Sequence, residues 1–167
     1  MTNPPDPVPL RPPQRRVERR TIALWAIRAL LSWGIVLGVL VIASAIWEQA
    51  RVWLIAPIAI SGAILLAKAL IEPWWRYLVH RWEVTDLATY ATSGWLVREW
   101  RVAPTSRIQT VDALRGPLEQ LLGLSTLRVT TASSSGAISI SGLDRADAEE
   151  AARRLAVVAE LTEGDAT

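Results

Sequence analysis

Cysteine is absent from all 167 residues, which rules out a disulfide framework, a thiolate metal site and a cysteine nucleophile. Histidine occurs once, as His80, beside Arg81 and close to an apolar run. A lone histidine in that setting reads as structural or solvated. Serine nucleophiles require an oriented base, and Ser133, Ser134 and Ser135 have no histidine or lysine near them in sequence. The carboxylates Glu83, Asp86, Glu99 and Asp112 are scattered without metal-ligand spacing. No glycine-rich loop suited to cradling phosphate is present. The reading is a non-enzymatic protein with no catalytic residue, no cofactor, no metal and no evident small-molecule substrate.

The C-terminal half also lacks an excess of positive charge. Residues 1–20 carry five arginines against Asp6 and Glu18, a net +3, whereas from Trp75 onward ten arginines face twelve carboxylates, a net −2. A nucleic-acid binder needs a basic folded face, so nucleic acid is set aside as a partner. Lysine is nearly missing, with Lys68 alone present.

What the chain does have is two long apolar runs, Ala29–Ile46 and Val52–Ile71, separated by Trp47-Glu48-Gln49-Ala50-Arg51. At about 1.5 Å per residue they make roughly 27 and 30 Å of helix, which matches the hydrocarbon thickness of a bilayer. The linker has room only for a hairpin turn. Arg15, Arg16, Arg19, Arg20 and Arg28 precede the first run, and Lys68, Arg76 and Arg81 lie at or after the end of the second, against Arg51 alone in the turn. The positive-inside rule then puts both termini in the cytoplasm of a multi-pass cell-membrane protein. Ala43-Ser44-Ala45 has the form of a signal-peptidase site, but the long basic leader and the second span that follows at once argue against cleavage.

Trp25, Trp47, Trp53, Trp74 and Trp75 bracket the spans and read as interface anchors, with Arg28 and Lys68 snorkelling to headgroups. Gly34 and Gly38 in the first span, and Ala59, Ala63 and Ala67 in the second, are small residues at helical spacing. They read as a packing face within the hairpin or toward another membrane protein. Pro57 is expected to kink the second span. The domain plan is a disordered, basic and proline-rich tail over 1–20, a hairpin over 21–73 with spans about 29–46 and 52–71, a cytoplasmic domain over 74–161, and a disordered tail over 162–167.

Within the domain, Trp82 and Val84 share one strand face, Thr85-Asp86 is a turn, and Leu87–Thr92 is a second strand. Ser93-Gly94 then turns into a strand over Trp95–Val102, and Ile108–Leu114 is a further strand. Leu118–Gly123 reads as a short helix. Leu127 and Val129, then Ile138 and Ile140, alternate with polar residues about a Ser133-Ser134-Ser135-Gly136 turn. Asp144 is the expected N-cap of a final helix that presents Ala148, Ala151, Ala152, Leu155, Val158 and Ala159 on one face. Strands followed by one amphipathic helix make a small mainly β, or α+β, module. Gly94, Gly116, Gly123 and Gly142 fall where strand or helix ends are expected and where positive φ is often needed. Arg107 and Gln109 flank an inward Ile108.

Several of these segments together resemble the bacterial pleckstrin-homology-like membrane proteins. They are Val84-Thr85-Asp86, Ser93-Gly94, Pro104 with Arg107-Ile108-Gln109-Thr110-Val111, Gly116-Pro117-Leu118, Leu122-Gly123-Leu124, Leu127–Thr131 and Ser141-Gly142-Leu143. Tyr90-Ala91-Thr92 and Ala103 depart from the pattern. The resemblance covers Glu83–Leu155 and implies two transmembrane helices followed by a seven-stranded, partly open barrel capped by a C-terminal helix, with no catalytic residues. Some domains of this fold bind inositol phosphates through a basic first hairpin loop, and here that loop is the acidic Thr85-Asp86. The leading functional reading is a membrane scaffold or accessory subunit that contacts the lipid bilayer and either another membrane protein or a second copy of itself. The alternative is a lipid-sensing module.

Overall fold

The computed structural model describes residues 12–94, 97–132 and 136–164, the last six by backbone alone. Residues 1–11 of the expected tail, Trp95, the Ser133-Ser134-Ser135 turn, the Ala159 side chain and residues 165–167 lie outside that description.

The first apolar run forms α1 (Arg20–Ile46), and the turn is a single 3-10 turn at Glu48–Ala50. The second run forms α2 (Arg51–Leu66), a π-helical turn at Ala67–Ile71 and α3 (Glu72–Val79), a continuous helical stretch of 32 residues from Glu48 to Val79. Both helical stretches are long and apolar enough to cross a membrane. Each extends past its apolar run on the domain side, which the spans 29–46 and 52–71 did not anticipate. Pro57 is accommodated inside α2, and the helical irregularity falls instead at the π turn, one turn before Pro73 opens α3. Leu30, Ile35, Val39 and Ile42 on α1, and Ile55, Ile60 and Leu66 on α2, are exposed. Such contiguous apolar surface is costly in water and matched to hydrocarbon.

Among the described residues, seven strands form two antiparallel sheets. The first has the order β1 (Arg15–Arg16), β2 (Arg81–Val84), β3 (Ala88–Gly94), β4 (Arg98–Pro104); the second has β5 (Ile108–Leu114), β6 (Leu124–Thr131), β7 (Ile138–Asp144). A helix α4 (Pro117–Leu122) links β5 to β6, and α5 (Arg145–Gly164) follows β7. The two sheets do not close into one barrel. The turn at Thr85-Asp86 is as the sequence suggests: Thr85 Oγ1 accepts from the Ala88 amide at 3.1 Å and donates to its carbonyl at 2.9 Å. Asp144 caps α5, with Oδ1 accepting from the Ala146 amide at 2.9 Å.

The core lies between the sheets and under α5, where Trp82, Leu127, Val129, Ile140 and Leu143 meet Ala148, Ala151 and Leu155. Two further core members, Val17 and Trp25, come from the N-terminal side of the hairpin. This corrects the expected domain plan at residues 15–20. Arg15 and Arg16 form β1 and pair with Trp82 and Arg81 of β2, so the folded module draws on both sides of the hairpin. At the other end, α5 continues through Gly164, which takes residues 162–164 out of the expected tail as well.

The joint between hairpin and domain is made at a β-bulge. In the β6–β7 register Ser125 faces Leu143 and Thr126 faces Ser141, so Gly142 is left without a partner. Its φ of +82° is readily adopted only by glycine. The carbonyl freed by the bulge accepts from the Glu18 amide at 2.8 Å and the Thr21 hydroxyl at 3.0 Å, the latter fully buried. Gly142 was expected at a strand end and lies inside β7, while Gly116, expected at positive φ, has φ −73°.

A Cβ at position 142 would both strain the backbone and overlap the Thr21 side chain. Gly142→Ala is expected to cost about 3 kcal/mol through strain and overpacking, read as a lower thermal midpoint in detergent. An unchanged midpoint would show the joint to be loose.

Candidate functional site

Two places gather polar or aromatic side chains. The first is where the hairpin meets the domain. Trp25, expected as a membrane-interface anchor, is buried in the core, with its ring edge-on to His80 at 5.1 Å and under the Arg76 guanidinium at 4.4 Å. Its position before an apolar run imitates the belt signal, but α1 extends into the domain and carries the indole with it. Trp47, Trp53, Trp74 and Trp75 are exposed near the helix ends. Arg28 lies 3.4 Å from Glu119 of α4, and Lys68 lies 3.0 Å from Glu72, which Arg76 also approaches at 3.4 Å. Arg28 and Lys68 therefore both have carboxylate partners.

Those carboxylates were not singled out in the sequence. Glu72 stands four residues from both Lys68 and Arg76, a helical ion-pair spacing that is legible in principle. Glu119 sits at the third position of a helix opened by Gly116-Pro117, the capping-box position. It is 6% exposed and accepts from the Gly116 amide at 2.6 Å and the Thr126 hydroxyl at 2.9 Å. The buried carboxylate thus has a donor on each oxygen, with the Arg28 guanidinium beside it.

The expected packing face fares unevenly. Ala59 and Ala63 are exposed, Gly34, Gly38 and Ala67 partly buried. Nothing lies within 4 Å of where a Cβ would stand on Gly34 or Gly38, so close approach within the hairpin does not require these glycines.

The second place is the opening between the sheets. There β4 and β7 are each at the edge of their own sheet. Between them lies a cleft of about 690 Å3 lined by Trp100, Arg101, Ala103, Arg107, Thr131 and Ile138, among others. Arg101 spans part of it, donating to the Ala137 carbonyl at 3.3 Å while also paired with Glu99 at 2.8 Å. Arg107 lines the cleft and Gln109 does not, so the two residues flanking buried Ile108 are not brought together. Of the scattered carboxylates, Asp86 pairs with Arg154 at 2.6 Å and Glu83 accepts from the Gln14 amide at 3.3 Å. Among the described residues no cluster of His, Asp and Glu could hold a metal ion.

The sequence pattern shared by Bacterial PH domain proteins matches residues 21–158, from the buried Thr21 at the head of α1 to the last turns of α5. The chain belongs to the Bacterial PH domain family. The match takes in the hairpin as well as the domain, in keeping with the way α1 is built into the core. The UPF0699 transmembrane protein YdbS of Bacillus subtilis (strain 168) is 25% identical over 157 residues, covering 92% of this chain and 97% of that protein. No solved structure matches the chain. With two apolar helices of spanning length and a transmembrane relative aligned over nearly its whole length, this Bacterial PH domain protein is a membrane protein.

His80 gives the junction a measurable pH response. Burial, then the Arg76 charge, push its pKa down to about 4, partly opposed by a hydrogen bond to the Arg76 backbone. Its Nδ1 has no hydrogen-bond partner among the described residues. The unfolded chain takes up a proton near the ordinary value of 6.5 and the folded chain only near 4. Stability is therefore full above pH 6.5 and falls by about 3 kcal/mol as the pH drops toward 4. Thermal unfolding of His80→Leu across this window is expected to lack that increment; slopes parallel to the wild type would assign the loss to other groups.

Proposed function

We propose that this Bacterial PH domain protein is a non-enzymatic membrane scaffold or accessory subunit whose cleft between β4 and β7 docks an extended segment of a membrane-protein partner. The observation that carries the reading is the cleft itself: two open strand edges flanking a groove that offers Trp100, Arg101 and Arg107. Edge strands accept an added strand through backbone hydrogen bonds. Tryptophan and arginine are the side chains that most often anchor interfaces. Tethering to the bilayer raises the effective concentration of any membrane partner.

In this reading the chain enters the membrane through α1, turns at Glu48–Ala50 and returns, with both termini and the PH domain on the cytoplasmic side. The arginine-rich flank at Arg15–Arg28, against Arg51 alone in the turn, supports that orientation. The pairing of β1 with β2 supports it too, because it requires the chain before the hairpin and the chain after it to lie on one side.

The lack of native cysteine makes the orientation directly testable. Gln49→Cys is expected to react with a membrane-impermeant thiol reagent in intact cells, and Arg153→Cys only after lysis. The reverse pattern overturns the topology. For the cleft, a photo-crosslinking residue at Trp100 is expected to trap one membrane protein in living cells, and the same residue at Val157 on α5 to trap none. Arg107→Glu should reduce the yield at least about fivefold. Equal yields at the two positions, or no effect of the charge reversal, would remove the cleft from the reading.

A further inference from the structure

We propose that the pocket at the hairpin–domain junction binds the phosphate of one anionic phospholipid, independently of the cleft. The pocket, of about 250 Å3, is lined by Arg28, Ser32 and Trp33 of α1 and by Lys68, Glu72 and Arg76 of the returning helix. It is smaller than the roughly 300–1,000 Å3 typical of small-molecule sites, so it takes a headgroup and not a whole lipid.

Three cations meet one carboxylate on its walls. Glu72 is shared between Lys68 and Arg76, while Arg28 leans on Glu119 outside the lining. The pocket keeps a net positive charge, and its cations remain open to an incoming anion, with side-chain exposures of 49% for Arg28, 39% for Lys68 and 32% for Arg76. The indoles of Trp25 and Trp33 supply apolar wall next to that charge.

The position selects the ligand class. Immediately beyond Arg28 the exposed apolar surface of α1 begins at Leu30 and Leu31, and beside Lys68 the other helix exposes Leu66 and Leu70. A ligand seated here has an anionic head at the cations and, on the open side, an apolar continuation along the helices. A phosphodiester carrying acyl chains fits both demands. A zwitterionic headgroup brings a cation of its own toward the three already present and is disfavoured. The same cations would attract a soluble phosphate, so the two sources must be separated by experiment.

The test is native mass spectrometry of the full-length protein in detergent with added phosphatidylglycerol or phosphatidylcholine. One phosphatidylglycerol per chain is expected to be retained in preference to phosphatidylcholine. Lys68→Gln leaves the Glu72–Arg76 pair in place and should lower that retention about fivefold. Arg51→Gln, which removes one charge at the far end of the hairpin, should leave it unchanged. Millimolar glycerol phosphate should not displace the lipid. Equal retention of the two lipids, or equal losses in the two variants, overturns the site. Displacement by glycerol phosphate overturns its assignment to lipid and makes it a site for a soluble anion.

Discussion

The Gly142 carbonyl holds the two halves of this molecule together. A bulge in β7 turns it out of the sheet, and Glu18 and Thr21 donate to it as the chain enters α1. The donors flank the start of the hairpin, Glu18 just before α1 and Thr21 in its first turn, while the acceptor belongs to the last strand of the domain. Arg20 reinforces the attachment, donating to the Leu122 carbonyl at 3.1 Å and to Asp144 at 2.7 Å. Asp144 thereby serves both the first helix and the cap of the last one. With the head of α1 fixed in this way, Leu24 and Trp25 are carried into the core, and Arg28 arrives beside Glu119.

The same attachment bears on recognition. A PH domain joined to its anchor by a flexible linker explores many orientations above the bilayer. Here α1 is one unbroken helix from the domain core to the turn at Glu48–Ala50, and β1, which precedes the hairpin, pairs with β2, which follows it. The opening between β4 and β7 therefore has a set direction relative to the helices. Preorganisation of this kind lowers the entropy lost on binding, which suits a docking role for a cleft of modest size.

Much of this architecture was legible in the sequence because it is written locally. The apolar runs, the Thr85-Asp86 turn, the strand Ile108–Leu114 and the Asp144 cap each depend on residues within a few positions of one another. What escaped is what depends on distant contacts. Arg15 and Arg16 look like solvated tail charge until β2 is present to pair with them. Trp25 has the same sequence context as a membrane anchor, and only the packing of His80 and Arg76 around it shows otherwise. Arg28 has no counter-charge near it in sequence, because Glu119 is supplied by α4. The Gly142 bulge reads as a strand end, since a glycine inside a strand and one at its terminus leave the same local trace.

The bond between Thr21 and Gly142 spans 121 residues of chain. At a synthesis rate of about 5–20 residues per second, the acceptor emerges roughly 6–24 s after the donor. During that interval the first strand has no sheet to join, Trp25 has no core, and the head of α1 carries its arginines uncovered. The strand that precedes the hairpin is thus made well before the sheet it joins.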